Sequence, residues 1–458
     1  MRTNSRRTRL AALLILAAVF VLALSALQAS DAAVTEMPAD AEGVLTAEEY
    51  AANVAASENA EGESGAVSEA ENDATSESNG AASETTDDAE NVTSSETTDN
   101  ATSEMTNDAE TIPAPRTKAE ILLDSMTVRE KVCQLFMVFP EQLTGKAPVT
   151  SAGDAMREGL RRYPVAGIIF DRDSMKSREQ ITKLLSDTQS MSRIALLMTC
   201  DEEGGRVNRL MGAVGTPYVG PMLSYRGEGA ETAKANAVTI AGGLTSCGFN
   251  MDLAPVADVW SNPDNKVIGN RAYSTDFQEA AELVAAAVAG FHEGGVACTL
   301  KHFPGHGNTY EDSHNGLAHV YKTWKQLETA ELKPFRAGIA AGADAVMVGH
   351  LVAGEIDDKP ATFSNVIVTY MLRKELGFTG VIMTDSLQMD AIAKRYGAGE
   401  AALWAVKAGV DMLLCPDDLG AAAQELLSAL DDGRLSETRV DESVLRILQL
   451  KETYGLLD

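Results

Sequence analysis

The segment best equipped for chemistry is KHFPGHGNTYEDSH, which runs from Lys301 to His314. It begins with a cation and an imidazole, Lys301 and His302, and it ends with Asp312, Ser313 and His314. The Pro and Gly residues between these ends cannot continue a strand, so Asp312 and His314 are predicted to lie on a loop. An Asp that hydrogen-bonds a His two residues away fixes the imidazole tautomer and raises its basicity. The pair is predicted to transfer protons near neutral pH, although a loop held by its own polar side chains would give the same pattern.

A separate carboxylate, Asp385, directly follows the apolar run Val381–Thr384. At the end of a strand this side chain could act as a nucleophile, a general base or a metal ligand, or it could cap the helix that follows. A proton-transferring His together with a carboxylate elsewhere in the chain suits a reaction that combines acid–base and nucleophilic steps.

Several other polar side chains are predicted to lie near these groups. Asp201 follows a strand-like run and opens the string DEEGGR, whose carboxylates suit hydrogen bonds to sugar hydroxyls. Arg209 and Arg271 provide cations on neighbouring loops. Neighbouring strand residues point in opposite directions, so Lys301 and His302 can contact one substrate only if their strand is bent.

Eight short, almost continuously apolar runs alternate with helix-length stretches, as expected of parallel strands that are covered on both faces. Eight such units predict an α/β protein with a (β/α)8 barrel, in which the carboxyl ends of the strands form the active site. An open doubly wound sheet is the alternative, but no glycine-rich phosphate-binding string follows the first run. The runs are Gln134–Val138, Ala166–Phe170, Ala195–Cys200, Met251–Val256, Val296–Leu300, Ala345–Val348, Val381–Thr384 and Met412–Cys415.

The N-terminal quarter of the chain differs in composition from the rest. Residues 1–30 place four Arg before an apolar run, which predicts a signal peptide or a membrane anchor. Residues 31–115 are rich in Ser, Thr, Glu and Asp and are predicted to be a disordered acidic linker, either a stalk or a solubilising tail. Residues 116–458 are predicted to be the catalytic domain. The protein is therefore expected to be extracellular or attached to the cell surface.

The charge pattern argues against nucleic-acid binding. Much of the net charge of −29 comes from residues 31–112, which contain 22 acidic residues and no Lys or Arg. No basic cluster is visible in the rest of the chain. The five cysteines form no CxxC motif, and most lie in apolar runs, so buried reduced thiols are predicted. Neither a cofactor nor a metal is expected to take part in the reaction.

The sequence resembles family-3 glycoside hydrolases, specifically their single-domain β-N-acetylglucosaminidase branch, over roughly residues 118–456. The matching strings are Asp201–Arg209 (DEEGGRVNR), Asp252–Asp258 (DLAPVAD), Ile268–Arg271 (IGNR), Lys301–His314 (KHFPGHGNTYEDSH) and Met383–Asp390 (MTDSLQMD).

This resemblance implies a role for each matching residue. Asp385 would be the nucleophile, His314 the acid/base, and Asp312 the partner of that His. The residues that would bind the sugar are Asp201, Arg209, Arg271, Lys301 and His302.

The expected function is therefore that of an exported retaining exo-β-N-acetylglucosaminidase acting on peptidoglycan fragments or related amino-sugar glycosides. A phosphorylase and a β-glucosidase of the same family are alternatives, because a His acid/base repels an anionic acceptor less than a carboxylate would. Two further alternatives are a metal-dependent enzyme using His302, His306, His314 and Asp385, and a non-catalytic wall-binding protein.

Overall fold

A computed structural model describes residues 115–311 and 316–457. The predicted signal peptide and almost all of the predicted linker lie outside these residues, as do Asp312 and His314. No helix in the two described stretches combines the length and the hydropathy required to cross a bilayer.

Ten strands are found within the described residues. They are β1 (Phe136–Val138), β2 (Gly167–Ile169), β3 (Leu197–Cys200), β4 (Met251–Asp252), β5 (Thr299–Phe303), β6 (Ala318–His319), β7 (Ala345–Val348), β8 (Leu351–Val352), β9 (Val381–Thr384) and β10 (Leu413–Leu414).

The strands pair in parallel throughout. One sheet has the order β10-β1-β2-β3-β4, a second has the order β5-β7-β9, and β6 pairs with β8. Isolated parallel bridges join the two larger sheets at both edges, Met251 to Ala297 and Met383 to Met412. The prediction of an α/β fold with parallel strands is confirmed.

Helices follow most of the strands. The α-helices are α1 (Lys118–Ser125), α2 (Val128–Gln134), α3 (Pro140–Thr144), α4 (Asp154–Arg162), α5 (Arg178–Met191), α6 (Ala230–Thr245), α7 (Phe277–Glu293), α8 (Trp324–Glu328), α9 (Leu332–Ala340), α10 (Asp390–Ala393), α11 (Ala398–Ala408), α12 (Leu419–Asp431) and α13 (Glu437–Thr453). A π helix spans Val366–Glu375, and short 3-10 helices span Arg172–Ser174, Met222–Tyr225, Gly269–Arg271 and Ala361–Phe363.

The predicted apolar runs locate eight of the ten strands, but several strand ends differ, and the short strands β6 and β8 were not predicted. The runs at 345–348 and 381–384 coincide with β7 and β9. Placing Gln134 in a strand was wrong, because it is the last residue of α2, which begins with a capping box at Thr127. The Gln134 amide instead donates hydrogen bonds to the carbonyls of Pro164 and Val165.

Strand β5 begins and ends three residues later than the predicted run and therefore contains Lys301 and His302. Its pairing with β7 shifts register between Leu300 and Phe303. This irregularity is the bend that both side chains need if they are to reach the same site.

The core consists of the strand residues and the inner faces of the helices. All five cysteines are buried and unpaired with one another, as predicted. A cation is also buried here: Lys451 of α13 is fully buried, and its ammonium group donates to Gln134 Oε1 at 2.7 Å. Burial lowers the pKa of Lys451 from 10.5 to about 7.

This buried lysine predicts a stability that depends on pH. Between about pH 7 and pH 10 the unfolded chain keeps a proton on Lys451 that the folded protein has released, so stability rises with pH in this window. Lys451→Met removes this contribution. As the pH rises across this window, the unfolding free energy of the parent protein should increase relative to that of Lys451→Met by about 1.4 kcal/mol per pH unit.

Urea unfolding at several pH values measures the difference. Exposed Lys407 of α11 is the matched control, because Lys407→Met should leave the pH dependence unchanged. A pH-independent difference for Lys451→Met would show that Lys451 stays protonated in the folded protein.

Candidate active site

A cavity of about 670 Å³ opens at the carboxyl ends of the parallel strands. Six of the predicted site residues line it: Asp201, Arg209, Arg271, Lys301, His302 and Asp385. They come from four separate stretches of the chain, and the fold places them around one space.

Lys301 lies between two carboxylates at the base of the cavity. Its Nζ is 2.7 Å from Asp201 Oδ1 and 2.6 Å from Glu203 Oε1, and its side chain is 2% exposed. Burial alone would lower the pKa of Lys301, but the charges of Asp201 and Glu203 raise it above the ordinary value. Lys301 is therefore held as a cation.

Glu203 also holds Arg271. The guanidinium binds the carboxylate through two parallel hydrogen bonds, Nε to Oε2 at 2.7 Å and Nη2 to Oε1 at 2.8 Å. Burial alone would raise the pKa of Glu203, but Arg271 and Lys301 hold it far below the ordinary value. Sequence reasoning gave Glu203 no individual role, and its position two residues after Asp201 in DEEGGR was the available signal.

Asp258 holds the imidazole of His302. Asp258 Oδ2 is 2.6 Å from His302 Nδ1 and also accepts a hydrogen bond from the His302 backbone N–H at 3.1 Å. Burial opposes ionisation of Asp258, but His302 lowers its pKa below the ordinary value. This contact favours a proton on Nδ1 and leaves Nε2, which is 3.5 Å from Arg271 Nη2, on the ring edge away from Asp258.

Two buried asparagines hold the start of the loop that follows β5. Asn265 Nδ2 donates to the carbonyl of His306 at 2.8 Å, and Asn262 Nδ2 donates to the carbonyl of Thr309 at 3.0 Å. The Thr309 hydroxyl lies 2.7 Å from His306 Nδ1. Burial lowers the pKa of His306 below the ordinary value, which favours the neutral ring. Asp312 and His314 follow on this loop, outside the described residues, and their roles remain predictions.

The loop that carries Arg209 is ordered by the other glutamate of DEEGGR. Glu202 accepts backbone hydrogen bonds from Arg209 at 2.5 Å and Leu210 at 2.9 Å. The Arg209 guanidinium then reaches Asp171 Oδ1 at 2.5 Å and Asp201 Oδ2 at 3.5 Å. The two glutamates therefore have different partners: Glu202 holds a loop backbone, and Glu203 holds the buried cations.

Asp385 stands at the end of β9. Its backbone N–H donates to Val348 O at 3.0 Å, and Asp385 Oδ1 accepts from the Ser386 N–H at 2.8 Å. The next helix, α10, begins at Asp390 with Met389 as its N-cap. The alternative in which Asp385 caps that helix is therefore wrong, and its side chain lines the cavity.

The charges around the cavity are nearly balanced. The cations Arg209, Arg271 and Lys301 are bound to acidic side chains, so the site presents directional donors and acceptors without a strong excess of one sign. Such a surface suits an uncharged polyhydroxyl ligand, which needs paired hydrogen bonds more than charge neutralisation. Beside it, Asp385 places a carboxylate that can attack an electrophilic carbon.

The profile of the glycosyl hydrolase family 3 N-terminal domain matches residues 127–450. The chain belongs to this family. The family-3 match spans all ten strands and every cavity-lining residue described above.

Proteins with similar sequences include several β-hexosaminidases. A β-hexosaminidase of Xylella fastidiosa is 38% identical over 303 residues, which cover 65% of this chain and 88% of that protein. A β-hexosaminidase A of Pseudoalteromonas piscicida is 32% identical over 336 residues, which cover 67% of this chain but only 56% of that protein. The prediction of a family-3 glycoside hydrolase related to β-hexosaminidases is confirmed.

This chain is also similar to a solved structure. A family-3 β-N-acetylglucosaminidase from Paenibacillus sp. str. FPU-7 is 40% identical, with a TM-score of 0.68. The match covers 72% of this chain and 63% of the Paenibacillus chain.

The buried position of Glu203 predicts a large loss of stability in Glu203→Gln. The amide removes the negative charge that compensates Lys301 and Arg271, and breaking a buried ion pair costs about 3–5 kcal/mol. Urea unfolding should show this loss in unfolding free energy. Glu228→Gln, at an exposed loop acid, is the control and should change stability by less than about 0.5 kcal/mol. Equal stabilities for both variants would contradict the central role of Glu203.

Proposed function

We propose that the protein is an exo-acting, retaining β-N-acetylglucosaminidase and that its eight main strands form a (β/α)8 barrel. The observation that carries the proposal is the position of Asp385, at the end of β9 and on the wall of the cavity that Lys301, Arg271 and His302 also line. The β-hexosaminidase relatives and the Paenibacillus β-N-acetylglucosaminidase support the choice of an amino sugar. The circular strand order, which the two isolated bridges complete, supports the barrel.

The terminal sugar would occupy the base of the cavity. Lys301 and Arg271 would donate to its hydroxyl and acetamido oxygens, and Asp201 would accept from its hydroxyl groups. Because these groups are bound to Glu203 or to one another before substrate arrives, little ordering entropy is lost on binding.

In the first step the Asp385 carboxylate attacks the anomeric carbon. A carbon–oxygen bond forms to Asp385, the glycosidic bond breaks, and His314 gives its proton to the departing oxygen. In the second step His314 takes a proton from water, the water oxygen bonds to the anomeric carbon, and Asp385 leaves. Two inversions at one carbon return the β configuration.

Phosphate is an alternative acceptor in the second step. A His general base becomes neutral when it has given up its proton, so it repels an anionic acceptor less than a second carboxylate would. A phosphorylase would release the sugar as its 1-phosphate. An assay of 4-nitrophenol release, run with and without inorganic phosphate, distinguishes hydrolysis from phosphorolysis. Phosphate accelerates product formation only in the phosphorylase.

The proposal also includes export of the protein and a peptidoglycan substrate. The arginine-led apolar segment in residues 1–30 and the acidic segment after it support secretion or attachment to the cell surface. An enzyme placed there would meet β-linked amino sugars of wall fragments. Neither membrane attachment nor a particular aglycone is needed for the chemistry at Asp385.

The central experiment measures 4-nitrophenol release from 4-nitrophenyl β-N-acetylglucosaminide by the full chain. Asp385→Asn keeps the shape of the side chain but removes the nucleophile, so kcat should fall on the order of 10³-fold or more. Asp358→Asn, at an exposed acid on another loop, should retain activity. Turnover should resist EDTA and should exceed turnover of the matching β-glucoside.

Other outcomes would identify the alternatives. Preference for the glucoside would indicate a β-glucosidase, and loss of activity with EDTA in protein that remains folded would indicate a metal-dependent enzyme. Absence of turnover, combined with retained binding to wall fragments, would support a non-catalytic binding protein.

Tyr310 is predicted to contact the aglycone. Its side chain is 72% exposed, yet it lines the cavity opening, and the backbone of the preceding residue is held by Asn262. Tyr310→Ala should lower kcat/KM about 5-fold for a β-linked disaccharide of GlcNAc but little for methyl β-GlcNAc, because a stacking contact of about 1 kcal/mol is lost only with the larger aglycone. Tyr310→Phe should retain activity on both.

The control is Tyr218→Ala, since Tyr218 is equally exposed but does not line the cavity. Equal losses on both substrates in Tyr310→Ala would mean that the residue supports the loop and does not contact the aglycone.

A further inference from the structure

A second group of reactive side chains lies near the amino ends of β5 and β7, away from the candidate active site. His292 is near the end of α7, Cys298 directly precedes β5, and Asp344 directly precedes β7. Their Nε2, Sγ and carboxylate atoms all lie within 4.8 Å of one another. Within residues 115–311 and 316–457, this is the only such group of three or more possible metal ligands.

We propose that His292, Cys298 and Asp344 form a zinc-binding site. The donor set is one imidazole nitrogen, one thiolate and one carboxylate oxygen, all of which are ordinary zinc ligands. Tetrahedral zinc, with bonds of about 2.0–2.3 Å, separates its ligand atoms by roughly 3.2–3.8 Å. The His292 Nε2 to Asp344 Oδ2 distance is 2.9 Å and the His292 Nε2 to Cys298 Sγ distance is 3.9 Å, so small side-chain shifts would admit the ion.

Groups around the ligands hold the carboxylate in place. The Cys298 backbone N–H and the Tyr454 hydroxyl each donate to Asp344 Oδ2 at 2.9 Å. Hydrogen bonds of this kind orient the ligands of a metal and tune its affinity. Tyr454 directly follows α13, so four separate parts of the chain meet at this point.

The site can be reached from solvent. Asp344 lines a cavity of about 330 Å³ together with Gly342, Thr379 and Arg446. The His292 side chain is 33% exposed, whereas Asp344 is 10% exposed and Cys298 is buried. An ion entering from the cavity would have three protein ligands and one position for water.

Zinc binding replaces protons. The Sγ–Zn bond forms as the thiol proton of Cys298 leaves for solvent, and the Nε2–Zn bond forms as the proton between His292 and Asp344 leaves. Burial raises the pKa of Cys298 well above its ordinary value, and the hydrogen bond to Asp344 raises that of His292. Zinc binding at this cluster is therefore expected to release protons.

The role assigned to the ion is to join elements of the fold. It would link α7, β5 and β7, and through Asp344 it would contact Tyr454. Cys298 precedes Lys301 by three residues, about 10 Å along the strand, so the ion would stabilise the strand that carries the candidate sugar-binding residues without entering their cavity. The proposal does not depend on which glycoside the protein cleaves.

Cobalt titration of the full chain tests the site directly. Co²⁺ takes the same ligands as Zn²⁺, and a thiolate ligand gives a charge-transfer band in the near ultraviolet. One equivalent should saturate the band, and Zn²⁺ should displace it. Cys298→Ser and His292→Gln should abolish the band, whereas Cys415→Ser and Asp385→Asn, which alter the active-site cavity, should retain it.

Three further measurements keep the test decisive if Cys298→Ser fails to fold. His292→Gln changes a partly exposed residue and leaves an amide donor for Asp344, so it should remain folded but lose stoichiometric zinc, measured by elemental analysis after dialysis. Tyr454→Phe should weaken zinc affinity about 10-fold or more. Zinc should raise the melting temperature of the parent by a few degrees and leave that of His292→Gln unchanged.

Three results would overturn the proposal: no cobalt band in the parent protein, a band that survives in His292→Gln, or a band that disappears in Cys415→Ser or Asp385→Asn. The last result would place the metal in the active-site cavity. Activity of Asp385→Asn is irrelevant to these readouts, so failure of the proposed glycosidase function would leave the zinc test intact.

Discussion

The arrangement of the candidate site depends on one buried carboxylate, Glu203. It binds Arg271 through two hydrogen bonds and Lys301 through a third, and all three side chains are nearly excluded from solvent. A buried cation without a counter-charge would cost several kcal/mol, so ionised Glu203, together with Asp201 beside Lys301, compensates the two cations at the cavity. Asp201, Arg271 and Lys301 are thereby fixed relative to one another before any ligand binds.

This ion network also explains how a charged site can suit an uncharged substrate. The cations direct hydrogen-bond donors into the cavity, while the acids behind them cancel most of the electrostatic field. Asp258 orients His302 in a comparable way, because it contacts Nδ1 of the ring and leaves Nε2 on the edge away from Asp258. The nucleophile proposed at Asp385 comes from a different strand end, so the groups proposed to bind the sugar and the group proposed to attack it lie on separate elements that meet at the cavity.

Strand β5 runs from the proposed zinc site towards the candidate active site. Its carboxyl half carries Lys301 and His302, and the residue before its first position is Cys298, which belongs to the proposed zinc site. The register shift between Leu300 and Phe303 lets consecutive side chains reach one cavity. At its amino end, the Cys298 backbone N–H donates to Asp344, which His292 and Tyr454 also contact.

The sequence by itself determined the α/β class, the approximate positions of eight strands and six of the residues that line the cavity, because apolar runs and the motifs around Asp201, Lys301 and Asp385 are local patterns. It did not determine the strand ends, and it placed Gln134 in a strand, because α2 ends only two residues before β1 begins and a continuous apolar run does not mark the change from helix to strand. Only the tertiary structure decided that Glu203 and Asp258 hold the cationic and imidazole groups, and that His292, Cys298 and Asp344 meet. These contacts join residues that are far apart in the chain, and their geometry exists only once the strands have packed.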